Sequence, residues 1–141
     1  MSIPEIAENT VSAPYWQALR EGRLDFQHCG NCGNSWLPPR NHCPSCLASD
    51  VSWLTATGKG RLQSWVVYHK AYAPQLNDRI PYNVAIVELV EGPRLLTNII
   101  GCPDGKGLSP NAKVQLCIEE DFGRCLPRFR LKNAKARSAP R

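Results

Sequence analysis

The sequence has no apolar run approaching the roughly 20 residues that a helix needs to cross a bilayer. It also lacks a Gly-Lys-Ser/Thr ending, so the glycines within residues 101–107 do not indicate a nucleotide-binding P-loop. The first nine residues contain no basic residue, which a secretory signal requires at its start. We therefore expect a cytoplasmic protein without a membrane partner.

Acidic residues are absent after Asp121, whereas seven of the 17 basic residues lie within 124–141. The formal net charge of +5 is therefore interpreted as belonging to a basic tail on a slightly acidic body. Such a body offers no continuous electrostatic groove for a phosphate chain, so we do not expect nucleic acid as a partner.

The composition is that of a small β-rich protein. The chain has 141 residues, 43% of them hydrophobic, with 12 prolines and ten glycines. That length fits one compact domain or two very small ones. The many turn-forming residues favour short strands over a helical bundle.

Cysteine is plentiful, and four of the seven cysteines form two Cys-x-x-Cys pairs separated by ten residues. The pairs are Cys29–Cys32 and Cys43–Cys46. Two such turns bring four thiolates into a tetrahedron around one Zn²⁺, and four protein ligands leave no position for water or substrate. The spacing therefore predicts a structural metal. A redox dithiol, an iron site of the same ligands, and His28 or His42 as a substitute ligand stay open.

The remaining cysteines, Cys102, Cys117 and Cys125, are interpreted as ordinary free thiols. A nucleophilic cysteine needs a nearby base, and His69 is the only histidine outside the cysteine-rich region. No carboxylate pair has a spacing that indicates acid–base chemistry. We therefore predict no catalytic residue.

A short helix is predicted over residues 12–21. Ser12 is a suitable cap, Pro14 fits the first turn, and Gly22 favours termination. The spacing places three apolar side chains on one face: Tyr15, Trp16 and Leu19. This face either packs on its own chain or docks a partner.

The remainder of the pattern is β. Leu24 and Phe26 alternate with polar residues ahead of the first cysteine pair, and residues 57–60 read as a turn. Glu91-Gly92 predicts a hairpin, and the acidic run 119–121 is expected to be exposed. Strands are predicted at 61–69, 82–90, 94–100, 113–119 and 128–131. Four or five strands without intervening helices favour a small OB-fold barrel.

Taken in order, these features resemble a known family. The sequence has Tyr15-Trp16-Gln17-Ala18-Leu19, then the two cysteine pairs around Pro38-Pro39-Arg40, then Gly58-Lys59-Gly60, Ser64-Trp65, Pro81-Tyr82, Glu91-Gly92-Pro93-Arg94-Leu95 and Leu126-Pro127-x-Phe129-Arg130. This order resembles the acyl-CoA-associated zinc-ribbon/OB-fold family over roughly residues 12–131.

The resemblance implies a mainly β fold divided into a lead and helix (1–22), a rubredoxin-like zinc ribbon (23–56) and an OB-fold barrel (57–131). The tail (132–141) lies outside the pattern, and its basic composition is interpreted as disorder. The resemblance also implies a non-catalytic accessory subunit of a thiolase-like acyltransferase or aldolase complex handling acyl-CoA. The partner supplies the catalytic residues, and the complex binds the CoA ester. Partner contact is expected at Tyr15, Trp16, Leu19 and Trp36, and zinc at Cys29, Cys32, Cys43 and Cys46.

One alternative function belongs to a different class, that of independent binding modules. A free-standing OB-fold module would bind single-stranded nucleic acid or a CoA-like ligand, with aromatic side chains stacking on bases. The sequence does not identify an acyl substrate or the stoichiometry of a complex.

Overall fold

The computed structural model describes residues 11–71, 73–74 and 77–132. Nearly all of the predicted tail and of the lead before the helix lies outside the described residues. The described chain contains one helix and eight strands: α1 (Ala13–Arg20), β1 (Asp25–Cys29), β2 (Ser35–Trp36), β3 (Val51–Thr55), β4 (Lys59–Tyr68), β5 (Tyr82–Leu89), β6 (Arg94–Thr97), β7 (Lys113–Asp121) and β8 (Arg124–Leu131).

Helix α1 begins and ends within a residue of the prediction. Ser12 occupies the N-cap position, but its side chain makes no capping hydrogen bond. Gly22 has a φ of +88°, which L side chains rarely adopt. The Arg23 N–H reaches the Ala18 carbonyl at 2.8 Å, and the Gly22 N–H reaches the Leu19 carbonyl at 3.1 Å. These two bonds satisfy carbonyls that the helix end leaves unpaired.

A three-stranded antiparallel sheet, ordered β2-β1-β3, forms the ribbon. Phe26 pairs with Leu54, and Cys29 pairs with Val51, so the first cysteine sits at the end of a paired strand. The predicted strand ahead of the first cysteine pair is thereby confirmed.

The second sheet is a five-stranded antiparallel barrel, ordered β6-β5-β4-β7-β8. A bridge between Ile99 and Phe129 joins its two ends. Near this seam the Thr97 hydroxyl donates to the Pro127 carbonyl at 2.8 Å. This arrangement confirms the predicted OB-fold class.

Strand bounds differ from the prediction at several ends; β6, for example, ends at Thr97 rather than at residue 100. Residues 57–60 are not all turn, because Lys59 already begins β4. The last strand begins at Arg124 rather than at residue 128, because Phe122 and Gly123 both have positive φ (52° and 80°). Two such residues make a tight turn whose twist matches the strands on either side.

The longer β8 corrects the interpretation of the charge. Arg124, Arg128 and Arg130 belong to a barrel strand, so the positive charge is not confined to a tail. The acidic run 119–121 is also not simply exposed. Asp121 pairs with Arg79 at 2.7 Å and with Arg128 at 3.0 Å.

The main core lies inside the barrel, and the N-terminal helix is part of it. Leu19 is 1% exposed and joins the buried set of barrel residues, as does Leu24. The Arg124 guanidinium lies over the Trp16 ring, 5.0 Å from its centroid. The buried cluster consists of Leu19, Leu24, Leu62, Ala85, Val87, Leu89, Ile99, Val114 and Phe129.

In the described part of the chain, no helix is long and apolar enough to cross a membrane.

Candidate functional site

The four predicted metal ligands converge. The sulfur atoms of Cys29, Cys32, Cys43 and Cys46 all lie within 4.8 Å of one another. The Sγ atoms of Cys29 and Cys46 are 3.6 Å apart, as are those of Cys32 and Cys43. A tetrahedral zinc with Zn–S bonds of about 2.3 Å needs sulfur atoms about 3.8 Å apart. The donor set therefore fits this ion.

Each cysteine pair directs backbone N–H groups at its first sulfur. The amides of Asn31 and Cys32 lie 3.3 and 3.4 Å from the Cys29 sulfur. The amides of Ser45 and Cys46 lie 3.3 and 3.4 Å from the Cys43 sulfur. Such donors stabilise thiolate, which is the form that binds metal.

The two loops have the same backbone path but different residues at one critical position. The residue after the second cysteine has positive φ in both, +81° at Gly33 and 67° at Leu47. Its N–H reaches back to the first cysteine's carbonyl, at 3.0 Å in one loop and 2.9 Å in the other. Glycine adopts this conformation without steric cost, whereas the leucine is strained.

Local electrostatics favour ionised sulfur at Cys43 and Cys46. At Cys32 a hydrogen bond from the Asn34 backbone lowers the pKa, but burial and the neighbouring sulfur atoms outweigh it and raise the pKa to about 12. The Asn31 side-chain amide donates to Cys46 and lowers the pKa of that thiol. Although burial opposes ionisation of Cys43, the amides of Cys46 and Ser45 lower its pKa to about 6. Four thiolates around one ion complete its coordination, so this centre is structural. His28 is not a member of the cluster, and its Nδ1 lies 2.9 Å from the Ser35 hydroxyl oxygen.

Gln27 holds the ribbon together, and sequence reasoning missed it. Its side-chain oxygen accepts the Trp36 indole N–H at 2.7 Å and the Arg40 backbone N–H at 2.6 Å. The residue is only 2% exposed. In the sequence it merely occupies a polar position of an alternating strand, which gives no signal of burial.

The four predicted contact residues separate into two groups. Leu19 and Trp36 are 1% and 6% exposed, so both are interior residues of this chain, and their expected surface role is corrected. Tyr15 and Trp16 are half-buried and pack edge to face, with ring centroids 5.0 Å apart. Burial raises the pKa of Tyr15 to about 12.

Tyr15 and Trp16 line a groove between the helix, the ribbon and the barrel. The cavity measures about 670 Å³. Its opposite wall includes Leu96, which is 69% exposed. The complete lining is Ser12, Tyr15, Trp16, Leu37, Pro38, Pro39, Ile86, Arg94, Leu95 and Leu96. We call this the helix groove.

A second groove opens at the other end of β5, with a volume of about 950 Å³. Its wall includes Tyr68 and Tyr82, stacked with ring centroids 5.1 Å apart. Asp121 and Arg79 pin the segment before β5 to the β7–β8 turn, where Arg79 also lies 4.5 Å from the Phe122 ring centroid. We call this the barrel groove, and its apolar walls suit an apolar ligand.

Cys102, a thiol outside the metal centre, does not have the features of an activated nucleophile. Burial, with a smaller contribution from Asp104, raises the pKa of Cys102, whereas a catalytic cysteine needs a lowered one.

Two family profiles match consecutive parts of the chain. The rubredoxin-like zinc ribbon domain of ChsH2 matches residues 16–52, and the C-terminal OB-fold domain of ChsH2 matches residues 53–119. The first match covers all four metal-binding cysteines, which supports zinc as the metal.

Curated relatives carry two kinds of name. A probable enoyl-CoA hydratase alpha subunit from Thermomonospora curvata is 35% identical over 127 residues, which is 90% of this chain. The chain spans only 39% of that relative's length. A DUF35 domain-containing scaffold protein from Methanocaldococcus jannaschii is 30% identical, and the match covers 72% of this chain and 73% of the relative.

Solved structures agree on the architecture. A chain of the Ltp2–ChsH2(DUF35) aldolase superposes with a TM-score of 0.77 at 35% identity, covering 90% of this chain and 98% of that one. A DUF35 protein of unknown function from Sulfolobus solfataricus has a TM-score of 0.63 at 14% identity, covers 88% of this chain and 87% of that one, and shares the fold alone. Both domain profiles match in order, and the first contains the complete four-cysteine centre. The chain therefore belongs to the ChsH2-type (DUF35) zinc-ribbon and OB-fold family.

Proposed function

We propose that this chain is a non-catalytic accessory subunit of a thiolase-like acyltransferase or aldolase complex that handles acyl-CoA. The observation that carries the proposal is its likeness, over 98% of that chain, to a component of the Ltp2–ChsH2(DUF35) aldolase. The closed metal centre and the unactivated Cys102 support an organising role, because neither offers a reacting group.

The helix groove is the proposed contact surface for the catalytic partner. It combines half-buried aromatic rings, Tyr15 and Trp16, with the exposed side chain of Leu96. Aromatic anchors beside exposed apolar groups are the composition expected at the centre of a protein interface. Of the four contacts predicted from the sequence, this proposal retains Tyr15 and Trp16.

The barrel groove is the proposed place where the complex shields the acyl part of its substrate. Its volume lies within the range typical of ligand sites, and Val84 and Ile100 are among its apolar lining residues. Asn83 is not free to bind substrate there, because its amide donates to the carbonyls of Ile99 and Cys102. Apolar contact therefore outweighs polar recognition in this proposal.

The test is affinity purification of a tagged chain from its native host, with mass spectrometry and zinc analysis of the same eluate. We expect a stoichiometric thiolase-like subunit and about one zinc per chain. Leu96→Asp should greatly reduce recovery of the partner. Val90→Asp is the matched control, because Val90 is 61% exposed and lies outside the helix groove lining.

Zinc without a thiolase-like subunit would contradict the proposal. Equal recovery with Leu96→Asp and Val90→Asp would remove the helix groove from it while leaving the subunit role intact. In the first case, binding assays with CoA esters and single-stranded nucleic acid would test the free-standing OB-fold alternative.

A further inference from the structure

A band of basic side chains crosses the outer surface of the barrel. It consists of Lys59, Arg61, Lys113, Arg130 and Lys132, all exposed. Their neighbours in sequence, Gly60, Leu62, Val114 and Phe129, are buried, so strand alternation turns the band outward. We call these five residues the basic band.

The strand register places like charges side by side. Arg61 pairs directly with Lys113 across β4 and β7. The backbone N–H of Lys132 donates to the Lys113 carbonyl at 2.8 Å, which brings Lys132 beside the same residue. Lys113 therefore has a cation on each side.

Nearby carboxylates in the described part of the chain form no ion pair with the band. Glu88 lies opposite Arg61, but its oxygens contact the Gln63 amide at 3.2 Å and Arg94 at 3.6 Å. Glu91 accepts the Thr57 backbone N–H at 2.8 Å. Among the described residues, none of the seven ion pairs includes a member of the band.

This arrangement disfavours the isolated fold. Like charges directly opposite one another on a sheet destabilise it, whereas opposite charges stabilise it. Lys113 is exposed, so its charge does not serve packing in the core. The Arg61 guanidinium donates to the Asn111 carbonyl at 3.1 Å. For the other four band residues, contact with a partner explains the exposed charge better than a bond within the described chain.

The band is continuous with the helix groove. In the register, Arg94 of β6 lies opposite Glu88 of β5, and Glu88 lies opposite Arg61 of the band. Arg94 also lines the helix groove. An apolar groove with a charged margin is the usual anatomy of a protein interface.

Building on the proposed function, we propose that the basic band docks against an acidic surface of the catalytic subunit and steers its association. The five band residues include no aromatic side chain, which argues against stacking of single-stranded nucleic acid. They lie on an open face of the sheet, where each can contact a different carboxylate of a partner protein. A cleft with converging donors would suit a small anion better.

The test uses the catalytic subunit recovered in the purification above, reconstituted with the full-length chain. Lys113→Glu places a carboxylate between Arg61 and Lys132. Lys106→Glu is the matched control, because it makes the same charge change at a side chain that is 89% exposed on a loop outside the band. Association rates are measured from low salt to about 1 M, where the screening length falls to about 3 Å.

We expect Lys113→Glu to slow association roughly fivefold at low salt, with the difference disappearing at high salt. Lys106→Glu should associate like the wild type. The free Lys113→Glu chain should melt about 2 °C higher, because two repulsive neighbours become attractive. Loss of folded structure in Lys113→Glu therefore cannot account for its slower association.

The outcomes separate the two proposals. Binding of the partner at equal rates by Lys113→Glu, Lys106→Glu and wild type would overturn the basic band while leaving the subunit role standing. A wild-type chain that binds no thiolase-like subunit would overturn both. Salt-dependent binding of single-stranded DNA that Lys113→Glu abolishes, with unchanged partner association, would assign the band to a different ligand.

Discussion

The zinc ribbon and the barrel are stabilised in different ways. The ribbon's own buried cluster contains Cys29, Trp36 and Cys43, with Ala48 and Val51 packed against it. The barrel cluster contains nine buried residues, including Leu19 from the helix and Leu24 from the segment before β1. A metal substitutes for a core in the first, and apolar burial suffices in the second.

Because of this difference, the region that stabilises a segment need not be its neighbour in the sequence. The helix precedes the ribbon, yet its buried Leu19 belongs to the barrel core. Loss of the metal should therefore leave the helix and barrel folded.

Removing zinc should unfold the ribbon selectively. Metal binding in such modules contributes about 10–16 kcal/mol of folding free energy. With a chelator or with Cys46→Ser, hydrogen exchange should show loss of protection in β1 and β3 and retained protection in β5. Cys102→Ser, outside the cluster, is the control. A Cys46→Ser chain with full zinc content and unchanged melting would contradict the assignment.

Emptying the barrel core should have the reverse effect. Phe129 is 0% exposed, and Phe129→Ala should reduce the free energy of unfolding by about 3–5 kcal/mol through lost contacts and a cavity. Chemical denaturation measures the change, and zinc content should stay at one per chain. Val66→Ala, at a side chain that is 54% exposed, serves as the control. Parallel loss of zinc would show that the two regions fold as one unit.

The ion pairs of Asp121 should give the barrel a dependence on acidic pH. The hydrogen bond from Arg79 is the largest cause of a pKa of about 2 for Asp121, against an ordinary 3.8. Since the pKa is lowered in the folded state, the stabilisation is present above pH 3.8 and is lost as the pH falls through about 2. Asp121→Asn should cost about 1 kcal/mol at pH 7 after solvent screening, and nothing below pH 2.

Thermal melting of Asp121→Asn across pH measures that difference. Glu120→Gln is the control, because Glu120 is exposed and belongs to none of the ion pairs of the described residues. If the melting temperatures of Asp121→Asn and wild type differed by the same amount at every pH, Asp121 would act through packing rather than through its charge.

The two metal loops allow the smallest test. Leu47→Gly should raise stability by about 0.5–1 kcal/mol, since relief of the strained φ outweighs the added freedom of the unfolded chain. Leu47 is 74% exposed, so little contact is lost. Gly33→Ala, at the matching position, should lower stability by a similar amount. Equal and opposite shifts in melting temperature would support the likeness of the loops.

A stabilising Leu47→Gly raises a further question, which the same variant answers. If this chain also binds the catalytic subunit less well, the exposed leucine is retained for contact, as strain at functional positions often indicates. If binding of the catalytic subunit is unchanged, the only effect of Leu47 is the strain of its positive φ.

Sequence patterns predicted elements well where a local rule operates. The cysteine pairs, the helix end at Gly22 and the strand predicted at 82–90 each depend on residues a few positions apart. The structure brings the four sulfur atoms together, gives Gly22 a positive φ and forms β5 over Tyr82–Leu89. The start of β8 was wrong because a tight turn through Phe122 requires a positive φ at a residue type that rarely adopts it. No composition rule signals that turn.

The side-chain partners were less predictable. The spacing of Leu19 places it on the same helix face as two aromatic residues, which suggested an exposed contact. It is instead covered by the barrel, which forms from residues far along the chain. Gln27 alternates like a surface residue, yet two N–H donors reach its oxygen in the interior. Pairing across long separations decided both cases.

Local patterns were enough to predict the cysteine pairs that could hold a metal, the β-rich class and the family, because spacing, alternation and motif order are properties of short segments. The folded chain was needed to show which aromatic residues face a groove, how Asp121 is paired and where Arg61 meets Lys113. Those facts depend on strand register, and register arises when distant segments bury a common core.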